Sequence, residues 1–373
     1  MDFRISKRYF YNALSAVARA ISVNSPLPSL SGIKIEVLED EIQLTASDSF
    51  ISILKTIRKD QEDFTLEINQ TGAVVIEAKY ILEIVRKIDA DEIHVEILDG
   101  SLTKISGYFA EFNINGMKAI DYPVIDFSKP DHQFSIEAGV LLKVINQTSF
   151  ATSDKETRPV LTGVNFRKEG NTLECVATDS YRLAKKAISL NEPGNFNITI
   201  PAKALSEIAK TIERESNIDV YVSDKKVQFW IDHTVIQTRL IDGLYPETSR
   251  LIPSEFNYEL IVDSRDILNA IDRASFIKSE GISIIKLTLS ENEVILSSKS
   301  QEVGSSTEKI TAISYKGNPL EISFSGRYAF DAIKALSGPI VKIEFSGDMK
   351  PFVLRSTEDE SVLQLVLPVR TYS

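Results

Sequence analysis

The sequence predicts an α+β fold of three similar domains, each of two helices and antiparallel sheets, spanning residues 1–128, 129–253 and 254–373. Three recurrences carry that prediction. A β-branched strand, a small residue, a basic residue and an amphipathic helix recur in Val75-Ile76-Glu77-Ala78-Lys79-Tyr80, Thr199-Ile200-Pro201-Ala202-Lys203-Ala204 and Ser323-Phe324-Ser325-Gly326-Arg327-Tyr328. Their basic residues are separated by two successive intervals of 124. Tyr122-Pro123 returns as Tyr245-Pro246 after 123 residues. Leu44-Thr45-Ala46-Ser47-Asp48-Ser49-Phe50 returns as Cys175-Val176-Ala177-Thr178-Asp179-Ser180-Tyr181 after 131. Three copies of about 124 residues fill the 373 with almost nothing left over.

Along the chain, residues 6–21 are helical by period, opened by Ser6 as N-cap. Residues 33–37 and 42–45 alternate as strands around the acidic turn Glu39-Asp40-Glu41, and a second helix covers 79–88. The second copy repeats this with a helix over 137–150, strands over 161–166 and 173–177 around a Glu169-Gly170-Asn171 turn, and a helix over 203–214. The third places helices at 265–278 and 327–336, with strands over 284–289 and 294–296 around Glu291-Asn292. Proline and charge interrupt the pattern at Lys129-Pro130-Asp131 and Pro253-Ser254-Glu255, where the domains divide.

Charge is the next constraint. Lys and Arg number 42 against 53 Asp and Glu, a balance of −11 that at face value argues against a nucleic-acid partner. Its distribution reverses the argument. At about 100° per residue, Phe10, Leu14, Val17 and Ile21 share one face of the first helix, with Arg8, Asn12, Ser15 and Arg19 opposite. Ile81, Leu82, Val85 and Ile88 likewise oppose Lys79, Glu83 and Arg86, and Leu205, Ile208, Ala209 and Ile212 oppose Lys203, Glu207, Lys210 and Arg214. Residues 137–150 are expected to expose Lys143, Asn146 and Gln147; the last two helices expose Arg265, Arg273, Arg327 and Lys334. The six segments hold 15 basic and 7 acidic residues, a balance of +8 that leaves −19 for the rest. Segregation with a threefold repeat suggests a ring with basic helices inside and acidic sheets outside. The competing reading is a repeat-built interaction scaffold without DNA binding, whose helix faces are merely solvated.

The residues just quoted resemble those of the bacterial sliding clamps, the β subunits of DNA polymerase III, along the whole chain. The matching stretches include Phe3-Arg4-Ile5-Ser6-Lys7, Leu27-Pro28-Ser29-Leu30, the run 151–163 around Arg158-Pro159-Val160-Leu161, Val176-Ala177-Thr178-Asp179-Ser180-Tyr181-Arg182-Leu183-Ala184, Ile241-Asp242-Gly243-Leu244-Tyr245-Pro246 and Leu367-Pro368-Val369-Arg370. The resemblance implies a DNA clamp fold, with two chains closing head to tail into a six-domain ring whose twelve helices line a channel for duplex DNA. Attachment is then topological, and a few diffuse phosphate contacts suffice. The residues expected to make them are Arg8, Arg19, Lys79, Arg86, Lys203, Lys210, Arg214, Arg265, Arg273, Arg327 and Lys334, with Lys155 in the loop before Arg158. Asn24 stands where relatives often carry arginine.

The resemblance also implies a pocket for short linear peptides of the replicative polymerase, the clamp loader, repair polymerases, ligase and mismatch-repair proteins. Mapped onto this chain it uses Leu161, Thr178, Ser180, Tyr181, Arg182 and Leu183 from one side. Pro246, Arg250, Leu251 and Pro351 follow, and the terminal Leu365, Val366, Leu367, Pro368, Val369 and Arg370 complete it. Apolar walls would take the peptide's hydrophobes, with Arg182 and Arg370 donating to its polar end. Core burial is the rival reading of the two strand segments. Tyr181 stands where many relatives have histidine, and Thr371-Tyr372-Ser373 extends the usual terminus. Closure of the homodimer would rest on Phe112 against Phe276 and Ile277, for which internal core is again the rival.

Catalysis finds no support. Ser31-Gly32-Ile33-Lys34 and Ser275-Phe276-Ile277-Lys278 match S-x-x-K without the partner motifs of a penicillin-binding enzyme, and phosphate-binding loops and C-x-x-C pairs are missing from the sequence. Asp48 and Asp179 recur at equivalent strand ends and read as turn-capping aspartates. Cys175, the one cysteine, permits no internal disulfide and reads as a small core residue, and His94, His132 and His233 offer no metal-ligand spacing. No cofactor is expected. No apolar run approaches about 18 residues and the N-terminus carries no leader pattern, so the expected location is cytoplasmic, at replication forks on the nucleoid.

Overall fold

The computed structural model describes residues 1–22, 27–61, 64–212, 217–278 and 281–370. They form two compact units, one of residues 1–139 and 207–240, the other of 140–206 and 241–373. Among the described residues there are six α-helices: α1 (Lys7–Ala18), α2 (Ala78–Lys87), α3 (Ala138–Thr148), α4 (Ala202–Thr211), α5 (Ser264–Ala274) and α6 (Gly326–Ala335). The repeat is realised to the residue in one set. Helices α2, α4 and α6 begin at 78, 202 and 326 and are each ten residues long.

In the first unit a five-stranded antiparallel sheet runs in the order Leu66–Gln70, Asp2–Ser6, Glu92–Asp99, Leu102–Gly107, Ala110–Asn115. A nine-stranded sheet joins Met117–Lys118, Gly72–Glu77, Gly32–Val37, Glu41–Ser47 and Ile51–Arg58 to Thr234–Arg239, Lys226–Ile231, Asn217–Val222 and His132–Glu137. The join is a ladder from Thr234 opposite Lys55 to Thr238 opposite Ile51, so strands of the first and second copies share one sheet. Lys129 lies over the rings of Tyr221 and Trp230, and Gln228 donates to the Ser128 carbonyl at 3.0 Å, which holds the connecting segment against this sheet.

The second unit repeats the device. Its seven-stranded sheet runs Gly163–Thr178, Arg182–Pro201, Val362–Val366, Phe352–Ser356, Ile340–Phe345, Tyr258–Asp263, Ala312–Lys316, and the join is Arg182 opposite Val366 through Lys186 opposite Val362. Its four-stranded sheet runs Gly304–Ile310, Glu293–Ser300, Ile284–Ser290, Leu320–Ser325. The core beneath α5 and α6 contains Ile267, Ile271, Ile333, Leu287, Phe324, Phe345 and Phe352, all buried.

Several expectations are corrected. Helix α1 ends at Ala18, short of Ile21, and α5 ends at Ala274, which leaves Phe276, Ile277 and Lys278 beyond the helix. Ser6 holds the N-cap position of α1 without capping it, because its hydroxyl lies 3.0 Å from Thr65 Oγ1. Strand runs unbroken through the expected Glu169-Gly170-Asn171 turn. The irregularity survives as Gly170 at φ 58° and a register shift between Gly170 and Thr172. Gln147, expected outside, is 2% exposed: its Nε2 donates to Ser337 Oγ at 3.2 Å and its carbonyl accepts from Gln364 Nε2 at 2.9 Å. Periodicity put Gln147 on the outer face because it sees one helix, not the strand and turn that cover it.

Candidate functional site: basic helix ends, a groove and two open sheet edges

Five of the six helices carry a cation as their second residue: Arg8, Lys79, Lys203, Arg265 and Arg327, all exposed. Only α5 has an acidic residue in its first turn, Asp266. A cation there opposes the helix dipole and costs up to about 1 kcal/mol, so its repetition at one position marks a use other than helix stability. Cation and helix N-terminus together attract phosphate oxygens.

The other expected DNA-facing residues lie further along the helices. Arg86 is tied to Glu83 at 2.7 Å, Lys210 to Glu207 at 2.8 Å and Arg273 to Glu308, while Arg19 donates to Thr211 Oγ1 at 3.1 Å. Arg8, Lys155, Arg265 and Lys334 are exposed and make no ion pair among the described residues. Arg214, like Asn24 and Thr371-Tyr372-Ser373, lies outside the described residues.

A second set of expected residues converges in the second unit. Between Gly163–Thr178 and Arg182–Pro201 the chain turns on Asp179, whose Oδ1 accepts the N–H groups of Tyr181 (2.9 Å) and Arg182 (3.0 Å), with Ser180 at φ 77°. The first copy builds the same turn: Asp48 Oδ1 accepts from Phe50 (3.0 Å) and Ile51 (2.8 Å), with Ser49 at φ 76°. Both aspartates therefore do the capping expected of them. Thr178 donates its N–H to Tyr245 Oη at 3.0 Å, and burial pushes that hydroxyl's pKa up.

Burial sorts the sixteen expected pocket residues. Leu161, Thr178, Arg182, Leu183, Leu365 and Val366 are buried. Leu183 and Leu365 cluster with Val176, Val353 and Leu363, against which Tyr245, Ile252, Phe256 and Leu367 pack. Ser180, Tyr181, Pro246, Arg250, Leu251 and Arg370 are exposed; Pro351, Leu367, Pro368 and Val369 are half-buried. Leu367 N–H donates to the Tyr181 carbonyl at 2.9 Å and Val369 N–H to that of Ser323 at 2.7 Å, fixing the segment beyond strand Val362–Val366 beside the turn. Arg182, the expected donor to a peptide, is bonded within the chain. It is 6% exposed, with Nε on Asp179 Oδ2 (3.1 Å), Nη1 on Asp331 Oδ2 (2.7 Å) and its guanidinium over Phe150 and Tyr328.

Sequence reasoning missed the groove beside this turn. It has a volume of about 1040 Å³ and is lined by Tyr181 and Val369 together with Ile282, Ser283, Arg327, Tyr328 and Phe330. Tyr328 was within reach, since it closes the third repeat motif and stacks on Tyr181 with ring centroids 6.4 Å apart. Ile282 follows a stretch with no periodic signal.

The third set is at sheet edges. Ile51–Arg58 pairs with the last strand of the second copy, and Arg182–Pro201 pairs with that of the third. The strands in the corresponding remaining places, Gly304–Ile310 and Ala110–Asn115, are both terminal in their sheets, with one side of their backbone unpaired. Phe112 lies on the latter strand and is 38% exposed; Phe276 is 79% exposed and Ile277 half-buried, so the core reading fails for both phenylalanines. Asp2, His94 and Glu96 offer ligand atoms within 4.8 Å of one another, a proximity unforeseen from spacing. They already bond to neighbours, His94 Nε2 to Asp2 Oδ1 at 2.8 Å and Glu96 to Lys104 at 3.3 Å.

The chain matches known proteins over its full length. The family description "DNA polymerase III beta subunit" fits in three parts, its N-terminal domain over residues 1–126, central domain over 135–247 and C-terminal domain over 249–370. Beta sliding clamps of Staphylococcus epidermidis and Staphylococcus aureus are 41% and 40% identical to it, each over 100% of both chains. The crystal structure of the DNA polymerase sliding clamp from Bacillus subtilis superposes with a TM-score of 0.97 at 39% identity over 100% of both chains. That of the DNA polymerase III beta chain from Streptococcus pneumoniae does so at 0.95 and 31%, over 99% of this chain and 100% of that one. The repeated α+β architecture, the open strands and the full-length likeness agree: the chain belongs to the DNA polymerase III beta subunit family, the beta sliding clamps.

Proposed function

We propose that two copies of the chain close head to tail around duplex DNA and tether the replicative polymerase for processive synthesis, without catalysing any step. The observation that carries this reading is the pair of sheet-end strands, Gly304–Ile310 and Ala110–Asn115, each with one open edge. A long exposed edge is a liability that proteins cover. A second copy covers it by the antiparallel pairing that joins the copies within the chain, and the contact closes when both chains repeat it. Phe112, Phe276 and Ile277 supply its apolar part.

DNA held this way needs only sequence-independent phosphate contacts. Arg8, Lys79, Lys203, Arg265 and Arg327 are the first group, and Arg19, Arg86, Lys155, Lys210, Arg214, Arg273 and Lys334 the second. The three clamp domains of this reading divide near residues 128 and 253. The turn at Tyr181, the cluster around Leu183 and Leu365, and the segment 367–370 beyond the last strand form the peptide site, to which polymerase, clamp loader, repair polymerases, ligase and mismatch-repair proteins dock in turn. Such work belongs in the cytoplasm, at replication forks on the nucleoid.

Primer extension tests the reading. With the replicative polymerase and loader on a primed circular template, adding the protein should lengthen products per binding event at least tenfold. Unchanged product length leaves the scaffold without DNA binding as the better account.

A further inference from the structure

On one face of the five-stranded sheet, three side chains able to ligate a metal converge from two neighbouring strands. Asp2 of strand Asp2–Ser6 stands directly opposite Glu96 of Glu92–Asp99, and His94, two residues before Glu96, shares their face. Phe3, Ile5, Ile93 and Val95, all buried, take the other face. One ligand atom from each of Asp2, His94 and Glu96 lies within 4.8 Å of the others, and their side chains are 25–28% exposed, open enough to admit an ion with its waters. Two carboxylates directly opposed across a ladder repel each other, so the arrangement calls for a cation. Lys104 answers Glu96 loosely, 3.3 Å away and shared at the same distance with Glu111. His94 Nε2 and Asp2 Oδ1 are 2.8 Å apart. That is close to the roughly 3 Å between adjacent donor atoms on one ion with bonds of about 2.1 Å. Asn69 Nδ2 donates to the same Oδ1 at 3.0 Å, an outer hydrogen bond of the kind that orients a ligating carboxylate.

We propose that Asp2, His94 and Glu96 hold a divalent transition-metal ion of the Zn2+, Co2+ and Ni2+ class, which ties strand Asp2–Ser6 to Glu92–Asp99. The ion takes the place of the hydrogen between His94 Nε2 and Asp2 Oδ1, with the imidazole proton on Nδ1. Glu96 completes the set by swinging toward the other two, which leaves Lys104 to Glu111. One imidazole with two carboxylates suits these borderline ions, whereas Mg2+ and Ca2+ favour oxygen alone. The site uses none of the residues assigned above to DNA, peptide or ring closure, so it stands or falls apart from those roles.

The test titrates Co2+ into the untagged full-length protein near neutral pH and reads the ion's ligand-field absorption and the thermal unfolding midpoint. One ion per chain should bind, raise the midpoint by about 2 °C at saturation, and yield to Zn2+ but not to millimolar Mg2+. His94→Gln should weaken binding by about tenfold or more, and so should Asp2→Asn, while His132→Gln and His233→Gln together should leave it unchanged. Lys104→Met removes the competing partner of Glu96 and should tighten binding. Circular dichroism without the ion checks that each variant is folded, and two ligand variants keep the test decisive if one is not. No change in the Co2+ spectrum, equal affinity in the wild type and a folded ligand variant, or displacement by Mg2+ overturns the inference.

Discussion

Single side chains decide how firmly the Asp179–Arg182 turn is held. Arg182 joins that turn to α6 through Asp179 and Asp331 with little exposure of its own, and removing it strands two carboxylates in low-dielectric surroundings. Arg182→Met should therefore lower stability by about 2 kcal/mol in urea denaturation. An unchanged midpoint would show that solvent already satisfies both acids. Asp126 tests the electrostatics of the connecting segment. Its pKa is pushed down to about 2, first by the Ser128 side chain, then by the Ser128 backbone, then by Lys226. Because the folded value lies below the ordinary 3.8, the stabilisation is complete above that pH and is lost as pH falls toward 2. Carboxyl NMR titration should find the midpoint near 2, raised further by Ser128→Ala than by Lys226→Met. Asp48 and Asp179 were legible as turn caps because their neighbours repeat after 131 residues. Arg182's buried pairing was not, because Asp331 lies 149 residues away in sequence and nothing local announces it.

Helices show where repetition helps a reader and where it misleads. All six were legible from period, and the starts of α2, α4 and α6 keep the 124-residue interval of the motif. What the interval hides is local. Ala78 and Ala202 open α2 and α4, yet Gly326 opens α6, because a Cβ there would lie 2.5 Å from Ser275 Oγ and 2.8 Å from Ile285 Cδ1. Gly326→Ala should cost about 2 kcal/mol from this overpacking, and Ser275→Ala in the same chain should restore part of it, as read by thermal unfolding. Full tolerance of the alanine would mean that α6 shifts freely on its sheet. Strand reading failed in the second copy for a related reason: the Glu169-Gly170-Asn171 signal is genuine, but Gly170 accommodates it as an irregularity within a longer paired stretch.

For the whole molecule, the net charge of −11 is no longer an objection to DNA. Cations recur at the second position of five helices, while the balance outside the helices expected from sequence is −19. Such a distribution draws duplex to the cations at the helix starts rather than to the acidic remainder of the chain. Assembly was legible only in part. Repeats imply equivalent joints, but which strands are left open depends on pairings that only folding reveals. Phe112→Asp and Phe276→Asp together should convert a dimer to a monomer in light scattering without changing the circular dichroism, since both rings are exposed within the chain. Persistence of the dimer would move the interface elsewhere. The central claim, attachment by encirclement, is tested most directly by loading the protein on nicked circular DNA and following what remains bound after one cut linearises the circle. Retention on the circle at salt that abolishes phosphate contacts, with rapid loss from free ends after cutting, is the predicted result. Loss from circle and linear DNA at the same salt-dependent rate would contradict it.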